Sequence, residues 1–309
     1  MGKFEFKTAT KSQRKARIAI CGVSGSGKTK SSLLIATGLI ESKSGIGDKI
    51  AVIDTENGSA SLFSNEVPFK VLELERYEPD TYVEAIHAAE EAGYSVLIID
   101  SLSHAWIGKG GALEQLEKRR VQSKSGNSFE AWRHVTPMHN ALVDALLHCK
   151  CHLIVTMRSK AEYVIEKDEK TGKNVPRKVG MAPVQRDGLE YEFDIVGDID
   201  LDHNWIISKT RCDQFVDAVI NKPGREVGEH IRAWLSDGAP PAVSEFDQLR
   251  GLLEKAKSED DITAARDRMK TAFKAGKLTQ DQANALAEPA TQAKARIAAN
   301  GQATAGAAQ

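Results

Sequence analysis

The densest chemistry in the sequence is the octapeptide GVSGSGKT, Gly22 to Thr29. It fits G-x-x-x-x-G-K-[ST], a loop whose glycines let backbone N–H groups curl round phosphate oxygens. The helix such a loop opens adds partial positive charge at its N-terminus. A lysine in the place of Lys28 reaches the β- and γ-phosphates, and a hydroxyl in the place of Thr29 ligates Mg2+. A Gly/Ser-rich turn can match by chance, but the flanks argue against that here. The apolar run RIAICG precedes the loop, and TKSSLLIATGLIES, with helical spacing, follows it. Contacts to a nucleoside triphosphate, ATP or GTP, are therefore assigned to Gly22, Val23, Ser24, Gly25, Ser26, Gly27, Lys28, Thr29 and Lys30.

Two carboxylates extend this chemistry. Asp100 ends the apolar run VLIID, where a second contact to Mg2+ is needed; the competing reading is a helix N-cap. Glu56 lies just beyond the run ending VIDT, where a carboxylate can take the proton of an attacking water. In isolation Glu56 reads equally well as an exposed loop acid.

Positioning these groups requires a sheet. Near-continuous apolar runs lie at 17–22, 49–54, 69–74, 94–100 and 152–157, as expected of central strands covered on both faces. Helical spacing separates them, at TKSSLLIATGLIES, PDTYVEAIHAAEEAG and HNALVDALLHC. This alternation predicts an α/β domain with a mainly parallel sheet. EFDIVGDIDLD and NWIISKTRC alternate instead, and His203-Asn204 between them reads as a two-residue turn, closing the sheet with antiparallel strands. That turn would set Asp202 against Trp205 and Asp198 against Lys209, with cross-strand ion pairs to Asp198 and Asp200. The core is expected over 1–235 and a linker over 236–244, where SDGAPPAVS can continue neither helix nor strand. A small domain of three helices is expected over 245–298, with apolar faces on Phe246, Leu249, Leu253 and Ala256, then Ile262, Ala265, Met269 and Ala272, then Ala283, Leu286, Ala290, Ala293 and Ile297. A capping box opens the third helix at Thr279, Gly276 suits a C-cap before it, and Pro289 threatens a kink. Residues 299–309 read as a disordered tail.

The chain has 309 residues, a formal net charge of −1 and 28% charged residues, so affinity for nucleic acid must come from local basic patches. Its four cysteines form no disulfide framework, the N-terminus has no apolar leader, and no run is long enough to cross a membrane. A cytoplasmic protein without membrane contact is expected.

A phosphate loop, a strand ending Ile-Asp-Thr-Glu56 and a second strand ending Ile-Asp100-Ser resemble the RecA/RadA ATPase core, over about residues 15–235. Among such proteins the chain looks most like the phage Sak-type, RecA-like annealing ATPases. The resemblance implies ATP with Mg2+, Glu56 as catalytic base, and action on single-stranded DNA beside a single-strand-binding protein, in the host cytoplasm if phage-encoded. It implies a polar sensor of the γ-phosphate at Arg158, although relatives usually carry Gln or Asn there. It also implies a homo-oligomer, ring or filament, in which a Lys-x-Arg pair on a late strand reaches a neighbour's ATP. Lys209 and Arg211, in SKTRC, match that pair in spacing and place.

DNA is expected on two loops of net positive charge. One spans 109–124 and carries Lys118, Arg119 and Arg120; the other spans 158–186 and carries Lys173, Arg177 and Lys178. Solvated surface is the competing reading of both. Tyr163 and Trp106 offer stacking surfaces. His104 either links the γ-phosphate to the first loop or simply packs. His148, Cys149, Cys151 and His152 invite a zinc reading, but they straddle a helix end and a strand start, so divergent side chains are expected. Asp198, Asp200 and Asp202 share one strand face, expected to be solvated. The leading function is an ATP-dependent recombinase or annealing protein on single-stranded DNA. The alternatives are a hexameric RadA/DnaB-like helicase or branch-migration motor, and a nucleotide-gated scaffold that acts on no DNA.

Overall fold

The computed structural model describes residues 10, 11, 13–41, 44–123, 128–167, 174–238 and 245–306. They divide into two compact units, with the boundary at Ala239 and Pro240.

In the first unit the elements follow as β1 (Arg17–Gly22), α1 (Lys28–Leu39), β2 (Ile50–Asp54), β3 (Lys70–Glu73), α2 (Pro79–Glu91) and β4 (Val96–Asp100). Then come α3 (His104–Ile107), α4 (Ala112–Gln122), α5 (Ser128–His148), β5 (His152–Lys167) and β6 (Asn174–Pro183). The unit closes with β7 (Ile195–Ile199), β8 (Asn204–Thr210), β9 (Val219–Asn221) and α6 (Arg225–Ser236). The sheet runs β3-β2-β4-β5-β1-β7-β8-β9, with β6 paired to the outer part of β5. Pairings from β3 through β7 are parallel, whereas β8 and β9 are antiparallel. The expected α/β architecture, mainly parallel and closed by antiparallel strands, is the one found.

Strand periodicity explains why the central runs are apolar throughout. Ile18, Ile20, Ile98 and Ile154 point to one face, against Leu33 and Ile35 of α1 and Ile231 of α6. Their neighbours Ala19, Cys21, Ile99 and Val155 point to the other, against Tyr82 and Ile86 of α2 and Leu142 and Leu146 of α5.

Three local readings change. The helix expected near residue 139 begins earlier, at Ser128, and carries Pro137 inside it. The first candidate DNA loop is largely helix α4, in which Lys118 pairs with Glu114 and Arg120 with Glu117, at helical spacing. The turn between β7 and β8 has four residues, Asp200 to His203, rather than two. The Asp200 carboxylate accepts from the backbone N–H and the Nδ2 of Asn204, while His203 adopts a φ of 63°. Asp198 therefore faces Ile206, and Lys209 faces Val196 across a bulge, so the expected ion pairs from Asp198 and Asp200 to Lys209 and Arg211 do not form.

The second unit has its own core of Leu249, Leu253, Ile262, Ala265, Ala272, Leu286, Ala290 and Ala293. Its helices are α7 (Glu245–Lys255), α8 (Glu259–Lys274), α9 (Gln280–Ala285) and α10 (Ala287–Gly306). The capping box at Thr279 forms, and Gly276 takes the left-handed conformation, φ 69°, just after α8. The expected third helix is divided at Leu286, because Pro289 has no N–H to offer the carbonyl of Ala285. Residues 301–306, placed in the expected tail, continue α10.

Candidate active site

Parallel strands bring their carboxyl ends to one edge, and the loops beyond that edge form a crevice. β1, β4, β2 and β5 deliver the candidate residues there. The loop after β1 needs glycine at two kinds of position. A side chain at Gly22 would lie 2.6 Å from the Ile199 carbonyl oxygen, and Gly27, which opens α1, has a φ of 95°. The result is a cavity of about 540 Å3 lined by Ser24, Gly25, Gly27, Lys28, Thr29, Lys30, Glu56, Asp100 and Arg158. Gly22, Val23 and Ser26 frame the loop rather than line the cavity. Val23 supplies the carbonyl that Lys28 Nζ bonds at 2.8 Å, and Ser26 Oγ is buried without a hydrogen-bond partner among the described residues. Lys30 also pairs with the exposed Glu66, at 2.7 Å.

Asp100 is 2% exposed. Its Oδ2 accepts from Thr29 Oγ1 at 2.6 Å and its Oδ1 accepts from Thr156 Oγ1. Burial raises the pKa of its carboxyl, only partly offset by those two hydroxyl donors. Burial also lowers the pKa of Lys28, with Asp100 and Glu56 opposing it. A desolvated carboxylate beside a threonine hydroxyl is a pair of hard oxygen donors of the kind Mg2+ takes. A buried serine hydroxyl left unpaired, and a lysine resting on a loop carbonyl, are groups an incoming triphosphate would satisfy. The residues present thus fit a magnesium–nucleotide complex, with Thr29 and Asp100 as the metal's protein ligands.

Glu56 does not stand alone. Arg158 Nε donates to Glu56 Oε1 at 3.0 Å and Nη2 to Oε2 at 2.6 Å, a two-pronged pair along the same carboxyl edge. Burial pushes the Glu56 carboxyl up, but hydrogen bonds and charge from Arg158 outweigh it and hold it below the usual carboxylate range. Arg158 is raised in turn, chiefly by its bond to Glu56. Both side chains line the cavity, so a γ-phosphate entering it competes with Glu56 for the guanidinium.

Of the supporting residues, His104 was singled out in the sequence and the rest escaped it. Asp54, 1% exposed, accepts from the backbone N–H groups of Glu56 and Ala60 and so fixes the loop that presents Glu56. Thr55 Oγ1 bonds the N–H of Ser101 and His104 Nδ1, joining the ends of β2 and β4. His104 stacks on Tyr77, with ring centroids 4.9 Å apart, and burial followed by the charge of Arg158 lowers its pKa. Ser103 Oγ accepts from the Arg158 N–H, and His203 Nδ1 meets the Ser26 carbonyl at 2.9 Å. The aspartate in VIDTEN was a visible signal; the others are joined only by the fold.

Lys209 and Arg211 lie away from this edge. Arg211 N bonds the Asp194 carbonyl and Asp194 N bonds that of Arg17, at the start of β1, roughly 16 Å along the strand from Gly22. Lys209 Nζ donates to the carbonyls of Glu190, Tyr191 and Phe193, which occupies its three hydrogens. Arg211 Nη1 donates to Asp194 at 2.7 Å, and its side chain stays 46% exposed. Of the DNA candidates, Lys118, Arg119 and Arg120 lie on α4, Arg177 and Lys178 on β6, and Lys173 outside the described residues. In the cysteine–histidine cluster the histidines diverge as expected, His148 bonding the Asp144 carbonyl and His152 accepting from the Ala16 N–H, whereas the Cys149 and Cys151 thiols meet each other. Asp198 takes Ser159, while Asp200 caps its own turn.

Fold and cavity together define a P-loop ATPase core. Residues 14–225 match the family described as AAA domain, and the chain belongs to that family. No curated protein matches the chain. Nucleotide hydrolysis is the activity that the domain and the cavity share. Among the described residues no helix is long and apolar enough to cross a membrane.

Proposed function

We propose that the chain is an ATP-hydrolysing protein of DNA recombination or annealing that acts on single-stranded DNA as a homo-oligomer. One observation carries the reading. Arg158, which holds the candidate base, continues along β5 through Lys160 into a hairpin whose return strand β6 carries Arg177 and Lys178. A strand that touches both nucleotide and DNA can link them.

The chemistry follows from the cavity. Lys28 leaves the Val23 carbonyl for the β- and γ-phosphate oxygens. The γ-phosphate draws Arg158 away from Glu56, and the freed carboxylate takes the proton of the attacking water. Thr29 and Asp100 would hold Mg2+, which would supply charge neutralisation at the phosphates. Arg211 of a neighbouring subunit, half exposed, is the cation suited to reach across an interface, while Lys209 anchors the strand that carries it. A single-strand-binding protein is the expected companion, and the host cytoplasm the site of action if the chain is phage-encoded.

An ATPase assay with and without single-stranded DNA tests this. Turnover should rise with DNA, and Glu56→Gln should lose at least about 100-fold in turnover while still binding ATP. Turnover indifferent to DNA would sink the DNA reading and leave the ATPase standing.

A further inference from the structure

Away from the nucleotide cavity a second groove, of about 810 Å3, is lined by Trp106 of α3, Trp132 and Arg133 of α5, Lys160 of β5, and Arg186 and Asp187 after β6. The two indoles stack, with centroids 6.0 Å apart and planes inclined by 27°. The Arg186 guanidinium lies 5.8 Å from the centroid of Trp132, over its ring. Behind them His139, 4% exposed, meets the Trp106 ring edge-on at 5.5 Å. Gln185, 4% exposed, bonds the Leu102 carbonyl with Nε2 and the Arg186 N–H with Oε1, which fixes the residue that presents the guanidinium.

Single exposed aromatics are ordinary surface. Here two stacked indoles line one groove in which Arg133, Lys160 and Arg186 supply three cations against a single acid, Asp187. None of Arg133, Lys160 and Arg186 has an ion-pair partner among the described residues. Stacked aromatic faces take flat π-systems, and unpaired cations beside them take phosphates. A duplex hides its base faces between neighbouring pairs; a single strand offers them. The overall net charge of −1 gives no general attraction for DNA, so the local arrangement must supply it.

We propose that this groove binds single-stranded DNA by stacking its bases on Trp132, Trp106 and Arg186, with Arg133 and Lys160 on the flanking phosphates. The proposal rests on the reading of single-stranded DNA as partner. It moves the base contacts to residues other than the cations of α4 and β6. It also supplies a route to the ATPase site, since Lys160 and Arg158 are two apart on β5 and share one side of the strand.

The test is fluorescence anisotropy with the full chain and labelled oligothymidylate, beside an abasic deoxyribose-phosphate strand of equal length, oligouridylate and duplex DNA. The wild type should bind oligothymidylate well above the abasic strand and the duplex, and addition of the oligomer should quench tryptophan fluorescence. Trp132→Ala should weaken binding about 5- to 150-fold, the range for loss of one stacked base, while Trp132→Phe keeps most of the affinity. Arg133→Ala and Lys160→Ala should each lower the slope of log affinity against log salt by about one. No binding by the wild type would overturn both this proposal and the DNA reading it rests on. Binding that is unchanged in Trp132→Ala, or equal for the abasic strand, would overturn the groove alone. Tighter binding of oligouridylate would overturn the assignment to DNA. If Trp132→Ala fails to fold, as judged by loss of ATP binding, the quenching decides: none on saturation with oligothymidylate overturns the groove.

Discussion

Where β1 begins, Arg17 is 5% exposed and its guanidinium donates to the carbonyls of Ala16, Leu147, Cys149 and Cys151. Beside it Lys209 is held by three more carbonyls, and the buried Asp194 takes the Arg17 N–H and the side chains of Arg211 and Arg14. Where β1 ends, Lys28 rests on one carbonyl, Asp100 on two hydroxyls, and Glu56 and Arg158 on each other beside an open cavity. Both edges bury a charged group, Arg17 and Asp194 at one and Asp100 at the other, yet only one can exchange partners. A cation bound to main-chain carbonyls of several elements moves only if those elements move. A cation bound to one side chain at a cavity wall moves when a stronger anion arrives. Structural and chemical charge are distinguished by the partner, not by burial.

Arg211 is the sharpest challenge to that division, since it sits at the structural edge but its side chain stays about half exposed. As a cation acting in a neighbour's site, Arg211→Ala should lower turnover by about 10^3-fold or more and leave ATP affinity intact. A steady-state ATPase assay beside equilibrium nucleotide binding reads both. Unchanged turnover with a lowered melting temperature would return Arg211 to the structural set. Arg17→Ala should act purely on stability, by about 3 kcal/mol, because it leaves the buried carbonyls of Cys149, Cys151 and Leu147 without the guanidinium. Denaturant unfolding measures this, and a loss under about 0.5 kcal/mol would show that the carbonyl cage is replaceable by water.

How much of this was legible in the sequence depends on how local the physics is. The phosphate loop is contiguous, because backbone N–H groups must surround one phosphate, so GVSGSGKT carried its site whole. Asp100 and Glu56 were visible as acids ending apolar strands. Arg158 was visible only as a position, since its partner lies 102 residues away and only the strand order β2-β4-β5 brings them together. The β7–β8 turn was misread because Asp200 captures Asn204 through its side chain, a competition that strand alternation does not register. In 109–124 charge count suggested a loop, although Glu114 with Lys118 had helical spacing from the start. Trp106 and Trp132, on separate helices, share a groove only once the chain has folded.

At the exchangeable edge, Arg158→Ala should cost about 100-fold in turnover, the usual size for one donor aimed at developing charge. It should also move the acid limb of the pH profile of kcat/KM, which reports the free enzyme, where Arg158 still holds Glu56. Arg158 holds the Glu56 carboxyl below its ordinary pKa, so removing it lets burial raise that pKa, and the ionised base is then lost at higher pH. An acid limb that stays in place in the variant would mean that Glu56 is not the group that titrates.

The structural edge has its own pH signature, smaller and of stability alone. His152 accepts from the Ala16 N–H through Nδ1, so its ring is neutral. Burial, then the charges of Lys15 and Arg17, pushes its pKa down to about 3. The unfolded chain takes up a proton near the ordinary value of about 6.5 and the folded chain does not. Stability from this group is therefore whole above about pH 6.5 and drains as pH falls toward 3. Between pH 7 and 5 the loss amounts to at most about 2 kcal/mol. His152→Gln keeps a polar side chain without the titration, so it should flatten this part of the stability profile at some cost at pH 7. Melting curves from pH 7 to 5 on both proteins give the difference directly. A wild-type slope no steeper than that of the variant would mean that the proton reaches His152 in the folded state, and that this edge too can change partners.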